Sequence, residues 1–138
     1  MSGFLLDTNV VSEVRRARPH KGVMNWIATI PEDELFVSAA TMGEMQAGIE
    51  AARRTDALKA QELERWLDTV STTFEVVAMN SEMFREWARL MHRRSRAELE
   101  DAMIAATARV RDMTVAIRNV SDFQAFGVPL FNPFAFKG

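Results

Sequence analysis

Short apolar runs alternate along the chain with longer segments whose apolar residues recur every three or four positions. The short runs are typical of buried β-strands, and the periodic segments are typical of amphipathic helices. Strands that alternate with helices favour a short, mainly parallel sheet covered on both faces, so we expect an α/β fold, a three-layer α/β/α sandwich. The predicted strands are Gly3–Leu6, Leu35–Val37, Phe74–Ala78, Thr114–Ile117 and, at an edge, Val128–Phe131.

The periodic segments between these strands predict helices, because their apolar residues share one face of a helix. The first helix runs from Thr8 to about Arg16 and is broken before Pro19. The other amphipathic segments, in chain order, are Val23–Ile30, Met42–Ile49, Asp56–Val70 and Met83–Met91.

The last predicted helix differs from the others in having almost no polar face. Ser95 is followed three residues later by Glu98, the spacing of a capping box, which predicts a helix start. Past Asp101 the helix is apolar nearly all round to about Val110, so we expect it in the centre of the domain. The helix start also explains the two other acids, Glu98 through the capping box and Glu100 through the helix dipole.

The composition is that of an ordinary globular domain, with 48% apolar and 26% charged residues among 138. No repeat, linker or low-complexity tract divides the chain, so we expect one domain over residues 1–138. The lack of cysteine excludes disulfides and thiolate metal sites, which suits the cytosol. The chain shows no signal-peptide pattern and no apolar run of roughly 20 residues, so we expect a cytoplasmic protein that does not enter membranes.

The net charge of −2 means that any contact with nucleic acid must come from local patches. Each cationic group along the chain suits contact with an RNA backbone and equally suits a solvated helix end. The two histidines have no ligand-spaced partner, so neither a zinc site nor a Ser–His nucleophile is indicated. The cationic groups are Arg15, Arg16, Arg18, His20 and Lys21, and then Arg89, His92, Arg93, Arg94 and Arg96.

Four acidic residues border apolar segments at points where strands end or helices begin. Asp7 directly follows the first strand, Asp122 and Asn119 follow the fourth, and Glu44 and Asp101 lie in helices. Ligands of open α/β sheets bind outside the carboxyl ends of the strands, so we expect these side chains to gather there. Several carboxylates at one point repel one another unless a cation neutralises them. Oxygen ligands of this kind favour Mg²⁺ or Mn²⁺.

Each of the four acids also has a purely structural interpretation. Asp7 suits an N-cap, and Asp101 suits the first turn of a helix, where the dipole favours negative charge. Glu44 points either to solvent or into a polar cavity, and Asp122 lies in a turn-like stretch where Asp is common. Asp101 is the strongest candidate, because an unpaired carboxylate beside an apolar helix surface is costly.

Taken together, stretches that cover essentially the whole chain resemble the PIN-domain family, in particular its VapC-type ribonuclease toxins. The resemblance implies an acidic pocket that binds Mg²⁺ or Mn²⁺ and hydrolyses RNA. It also implies that Asp7, Glu44 and Asp101 form an acidic triad and that Asp122 is a more variable fourth acid. The stretches that carry it are Leu6–Glu13, Ser38–Gly48, Asp101–Ala108, Arg118–Phe123 and Asn132–Phe134.

The same resemblance implies partners. Toxins of this type form homodimers and are held inactive by a small cognate antitoxin that inserts a segment near the pocket. The chain departs from the family at Ile117, where many relatives carry Thr or Ser, which changes the surroundings of the pocket but not its acids.

Two other functions remain open from the residues. A dehalogenase-like phosphatase also has an Asp after its first strand, but it needs a second acid where this chain has Asn9. A catalytically silent PIN fold that binds an antitoxin or RNA has no need for mutually repelling carboxylates, although the sequence alone does not exclude it.

Overall fold

A five-stranded, all-parallel sheet forms the centre of the computed structural model, which describes residues 3–138. Met1 and Ser2, the first residues of the predicted domain, lie outside the described part. The strand order β3-β2-β1-β4-β5 places β1 in the middle. All five predicted strands are present within two residues of their predicted ends, and the last lies at an edge as expected. They are β1 (Phe4–Leu6), β2 (Leu35–Ser38), β3 (Glu75–Val77), β4 (Thr114–Ala116) and β5 (Leu130–Phe131).

Helices connect the strands much as the apolar periodicity predicts. The first helix ends at Glu13 instead of Arg16, because the buried Glu13 carboxylate accepts the backbone N–H of His20 at 2.9 Å and the chain turns back there. His20 in turn caps the next helix, since its Nδ1 accepts from the backbone N–H of Gly22 at 3.0 Å. The helices are α1 (Thr8–Glu13), α2 (Lys21–Thr29), α3 (Ala39–Arg53), α4 (Ala57–Thr73), α5 (Ser81–Met91) and α6 (Leu99–Arg111).

Successive strand residues point to opposite faces of the sheet and bury two separate cores. Leu5 and Phe36 belong to a core that also contains residues of α5 and α6. Leu6 and Val37 belong to a second core built with α1, α2 and α4. Because both faces of the sheet are covered by helices, the predicted three-layer α/β/α sandwich is confirmed.

Helix α6 is the central helix that its apolar composition predicts. The residues buried along it include Ala102, Ile104 and Ala105. The predicted capping box is present at Ser95, but it begins a 3₁₀ turn, Arg96–Glu98. Helix α6 itself starts at Leu99, directly after this turn. The burial of α6 fixes its N-terminal end against the sheet. Within residues 3–138, no helix is long and apolar enough to cross a membrane.

The strand order creates a crevice at one edge of the sheet. The chain runs from β1 to β2 and β3 on one side, and then crosses back to place β4 on the other side of β1. At such a reversal the connections leave in opposite directions, and a cleft opens outside the carboxyl ends of the two strands. We refer to this end of the sheet, beyond Leu6 and Ala116, as the carboxyl edge.

Candidate metal centre

Asp7 stands at the carboxyl edge as the first residue after β1. Its backbone N–H donates to the carbonyl oxygen of Ala116 in β4 at 3.0 Å, which fixes it where β1 and β4 end. Asp7 occupies the N-cap position of α1, but its side chain makes no capping hydrogen bond. Its carboxylate lies near the backbone N–H groups of Thr8 and Asn9, which lower its pKa, but they do not outweigh the effect of burial.

The pKa of Asp7 shows that other acids lie close to it. Burial of the carboxyl group is the largest of the effects that together raise this pKa from 3.8 to about 6. The negative charges of Asp101 and Glu44 raise it further, while the backbone N–H groups of Thr8 and Asn9 oppose the shift. Asp7, Glu44 and Asp101, which are distant in sequence, thus lie within electrostatic reach of one another.

Glu44 is held in this group by a neighbour of Asp7. The Thr8 hydroxyl donates a hydrogen bond of 2.6 Å to Oε1 of Glu44, and the glutamate side chain is half-buried. This bond ties α3 to the first turn of α1. Of the two interpretations open from the sequence, the one in which Glu44 faces a polar site agrees with the structure.

Asp101 lies in the first turn of α6, the helix end that meets the carboxyl edge. Its pKa is raised by burial and then by the negative charges of Glu44, Asp122 and Glu98. Asp122 is exposed in a 3₁₀ turn, Val120–Asp122, that follows β4. The structure therefore brings all four predicted acids to one end of the sheet, with Asp122 at its rim.

Glu100 is a fifth acid near the site, and the sequence alone explains its position only through the helix dipole. It does lie in the first turn of α6, but its carboxyl group also lies against that of Glu44. This contact raises the pKa of Glu100 to about 7, with burial and the charge of Asp101 adding to the effect. Adjacent helix positions point about 100° apart, so spacing alone does not predict that Glu100 and Asp101 face the same site.

The donor atoms of this acidic cluster, defined as Asp7, Glu44, Glu100, Asp101 and Asp122, suit a hard divalent cation. Carboxylate oxygens are the preferred protein ligands of Mg²⁺ and Mn²⁺. Within residues 3–138, no three His, Asp or Glu side chains already stand at metal-ligating separations. Mg²⁺ keeps several of its waters and is bound through one or two direct carboxylates, so the chemistry of these donors suits the ion.

Two further features set the surroundings of the cluster. Ile117, at the position where the resemblance led us to expect a hydroxyl, is buried in the core and supplies no polar atom. Asn9 Oδ1, two residues after Asp7, is buried with no hydrogen-bond partner among the described residues. Asn9 thus stands where a dehalogenase-like phosphatase would need its second acid, and its amide oxygen is unsatisfied.

The second cationic group, which runs from Arg89 to Arg96, contains one residue bonded to the fold and several exposed residues. Arg94 donates to the backbone oxygens of Leu90 and Ala125, the latter at 3.1 Å, and is therefore part of the fold. Arg93 and Arg96 are exposed and precede the N-terminal end of α6. His92, also exposed, makes no ion pair within residues 3–138, whereas Arg89 pairs with Glu86.

The sequence matches the PIN domain over residues 4–127, so the chain belongs to the PIN domain family. The family predicted from the sequence is confirmed.

Several relatives align with this chain over nearly its whole length. The plasmid stability protein StbB of Pseudomonas syringae is 34% identical over 94% of this chain and 97% of its own. Toxin FitB of Neisseria gonorrhoeae is 32% identical and the VapC ribonuclease Y4jK of Sinorhizobium fredii 31%, with similar coverage. The crystal structure of FitAcB from Neisseria gonorrhoeae superimposes with a TM-score of 0.81 at 27% identity, covering 96% of this chain and 99% of that one.

The raised pKa of Asp7 predicts how this residue affects stability in metal-free buffer. Because its folded pKa of about 6 exceeds the ordinary 3.8, the folded state binds more protons between these values. The stabilisation by protonated Asp7 is complete below the lower value and is lost as pH rises through the higher one. We expect Asp7→Asn to melt roughly 10 °C above wild type at pH 8 and close to it at pH 4.

Thermal melting followed by circular dichroism across this pH range makes the comparison. Asp68→Asn, which makes the same change at an exposed position on α4, should follow wild type throughout. A melting temperature below wild type at pH 8 for Asp7→Asn would instead give Asp7 a stabilising, capping role.

Proposed function

We propose that this protein is a metal-dependent endoribonuclease that hydrolyses RNA phosphodiester bonds at the acidic cluster, and that it acts as the toxin of a toxin–antitoxin pair. The observation that carries the proposal is the cluster itself, in which Asp7 is partly buried beside the charges of Asp101 and Glu44. Burying mutually repelling carboxylates costs stability, and a bound cation offsets that cost.

The relatives support the choice of substrate and role. One relative at 31% identity is a VapC ribonuclease, another at 32% is a toxin, and both align over 94% of this chain. Carried over to this chain, these names point to RNA as the substrate and to growth inhibition as the outcome.

The chemistry divides between the ion and the side chains. A bound Mg²⁺ or Mn²⁺ supplies Lewis acidity that activates water and offsets negative charge on the phosphoryl group. The proposed direct ligands are Asp7, directly after β1, and Asp101, in the first turn of α6. Glu44 and Asp122 act through water molecules or orient the attacking water. The Thr8 hydroxyl holds one oxygen of Glu44 and so orients its carboxylate for this task.

An antitoxin partner is also part of the proposal. The structure of FitAB bound to a DNA fragment covers 98% of this chain with a TM-score of 0.80 at 30% identity. By analogy with that complex, we propose that this chain binds a small cognate antitoxin. A homodimer, which the family resemblance implies, remains a proposal as well.

The competing proposal is a catalytically silent PIN fold that only binds an antitoxin or RNA. Five acids at one edge argue against it, because a domain without a metal would gain stability by losing them. The proximity of Glu44 to Glu100, with its raised pKa, has no role in a purely structural domain.

Induced expression in a bacterium tests the activity, with wild type beside Asp7→Asn and Asp101→Asn and with total RNA sequenced for new ends. Wild type should arrest growth and create new RNA ends, and both variants should abolish cleavage because each removes a proposed metal ligand. Soluble wild-type protein that leaves growth and RNA ends unchanged would favour the silent module. Asp68→Asn, on the exposed face of α4, serves as the matched control and should arrest growth like wild type.

The Thr8–Glu44 hydrogen bond predicts a graded effect on the same activity. Thr8→Val keeps the side-chain shape but removes the donor, so we expect a loss of about 10–100-fold in kcat with little change in KM. Thr8→Ser keeps the hydroxyl and should recover most of the activity. Equal rates for the valine and serine variants would show that the 2.6 Å bond does not position Glu44.

A further inference from the structure

An arginine lies at the carboxyl edge of the sheet without pairing with the acidic cluster. Arg118 follows β4 by two residues, and its side chain is exposed. Its guanidinium group lies over the ring of Phe134, 4.7 Å from the centroid. It is not among the groups that shift the pKa of Asp7 or Asp101. An aromatic ring, and not a carboxylate, therefore sets the position of this cation.

The ring beneath Arg118 is itself held in place. Phe134 belongs to a 3₁₀ turn, Pro133–Ala135, that follows β5 at the same edge of the sheet. Its backbone N–H donates to Oδ1 of Asn132 at 2.9 Å. The ring also meets the imidazole of His20 edge-on, with centroids 5.0 Å apart. The aromatic platform is thus preorganised, and stacking on it restricts the conformations of the arginine.

The N–H donors of Arg118 form no ion pair with an acidic side chain within residues 3–138, in contrast to those of five other arginines. A guanidinium carries five N–H donors that suit two oxygens of a phosphate or carboxylate. The arginines that do pair with acids are Arg16, Arg53, Arg89, Arg94 and Arg109.

A polyanion that approaches the acidic cluster meets repulsion, since the protein has a net charge of −2 and its carboxylates concentrate at this edge. Cations at the rim are needed to hold the backbone of such a ligand near the carboxylates. Arg118 is placed for this role, because the ring covers one face of the guanidinium while the N–H groups around its edge remain accessible.

We propose that Arg118, stacked on Phe134, binds a backbone phosphate of single-stranded RNA beside the bond that is cleaved. The inference rests on the proposed ribonuclease function and adds a residue that contacts the substrate. A phosphate is preferred over a base because the donors of a stacked guanidinium lie at its edge, where two phosphate oxygens can be bound at once.

Fluorescence anisotropy with a short, labelled single-stranded RNA of randomised sequence tests this assignment in Mg²⁺ buffer. All proteins carry Asp7→Asn so that the RNA stays intact, and the melting temperature of each confirms that it is folded. Arg118→Gln removes the charge, and Phe134→Leu removes the platform. Arg111→Gln is the matched control, since Arg111 also stacks on a ring, 5.7 Å from the Phe36 centroid, but at the far end of α6.

We expect Arg118→Gln to raise the Kd about 5–10-fold. The association constant should also fall less steeply with salt, because the negative slope of log K against log salt becomes smaller in magnitude by about 0.7, the value for one phosphate contact on a single strand. Phe134→Leu should raise the Kd as well, and Arg111→Gln should change neither quantity. Arg118→Lys should recover only part of the affinity, because lysine keeps the charge but not the planar stacking.

Three results would overturn the inference, and they are distinguishable. Unchanged affinity and slope for Arg118→Gln, with RNA still bound by its Asp7→Asn parent, would remove Arg118 from the interface and leave the proposed function intact. A loss of affinity at unchanged slope would show a base contact in place of a phosphate contact. No RNA binding by the parent protein would contradict the proposed function together with the inference.

Discussion

Electrostatic repulsion among carboxylates at the carboxyl edge is the constraint on which the structure depends most. Five acids from four separate segments meet where β1 and β4 end, and the pKa of Asp7 rises to about 6 through burial and its neighbours. Such an arrangement costs stability in the absence of a cation. The fold tolerates it because two well-packed cores on either face of the sheet hold the strands in place. Stability is therefore given up locally at this edge, which is the cost that the proposed cation offsets.

The same packing determines which side chains meet. Burial of α6 brings its first turn to the carboxyl edge, so Asp101 and Glu100 approach Glu44 from the opposite layer of the sandwich. The Thr8 hydroxyl then joins the first turn of α1 to α3 through Glu44. Three helices are thus connected through polar side chains at one end of the sheet, which explains how a site forms from residues so distant in sequence.

Apolar periodicity was sufficient to predict the strands, the layer order and the central helix, because each depends on local composition and on burial. The acids Asp7, Asp101 and Asp122 were predictable from their positions after strands and at a helix start. Glu100 was not assigned to the cluster, because its contact with Glu44 depends on how two helices pack and not on its own neighbours. The early end of α1 at Glu13 likewise follows from a hydrogen bond to a residue seven positions away.

Isothermal titration of Mn²⁺ into wild type and Asp7→Asn at pH 6, in two buffers of different ionisation enthalpy, tests the central claim most directly. A metal that needs ionised carboxylates must displace protons from groups whose pKa is raised. Wild type should bind Mn²⁺ with proton release, and Asp7→Asn should bind far more weakly and release fewer protons. Absence of binding to wild type, or identical affinity and proton release for both proteins, would contradict a metal centre built on Asp7.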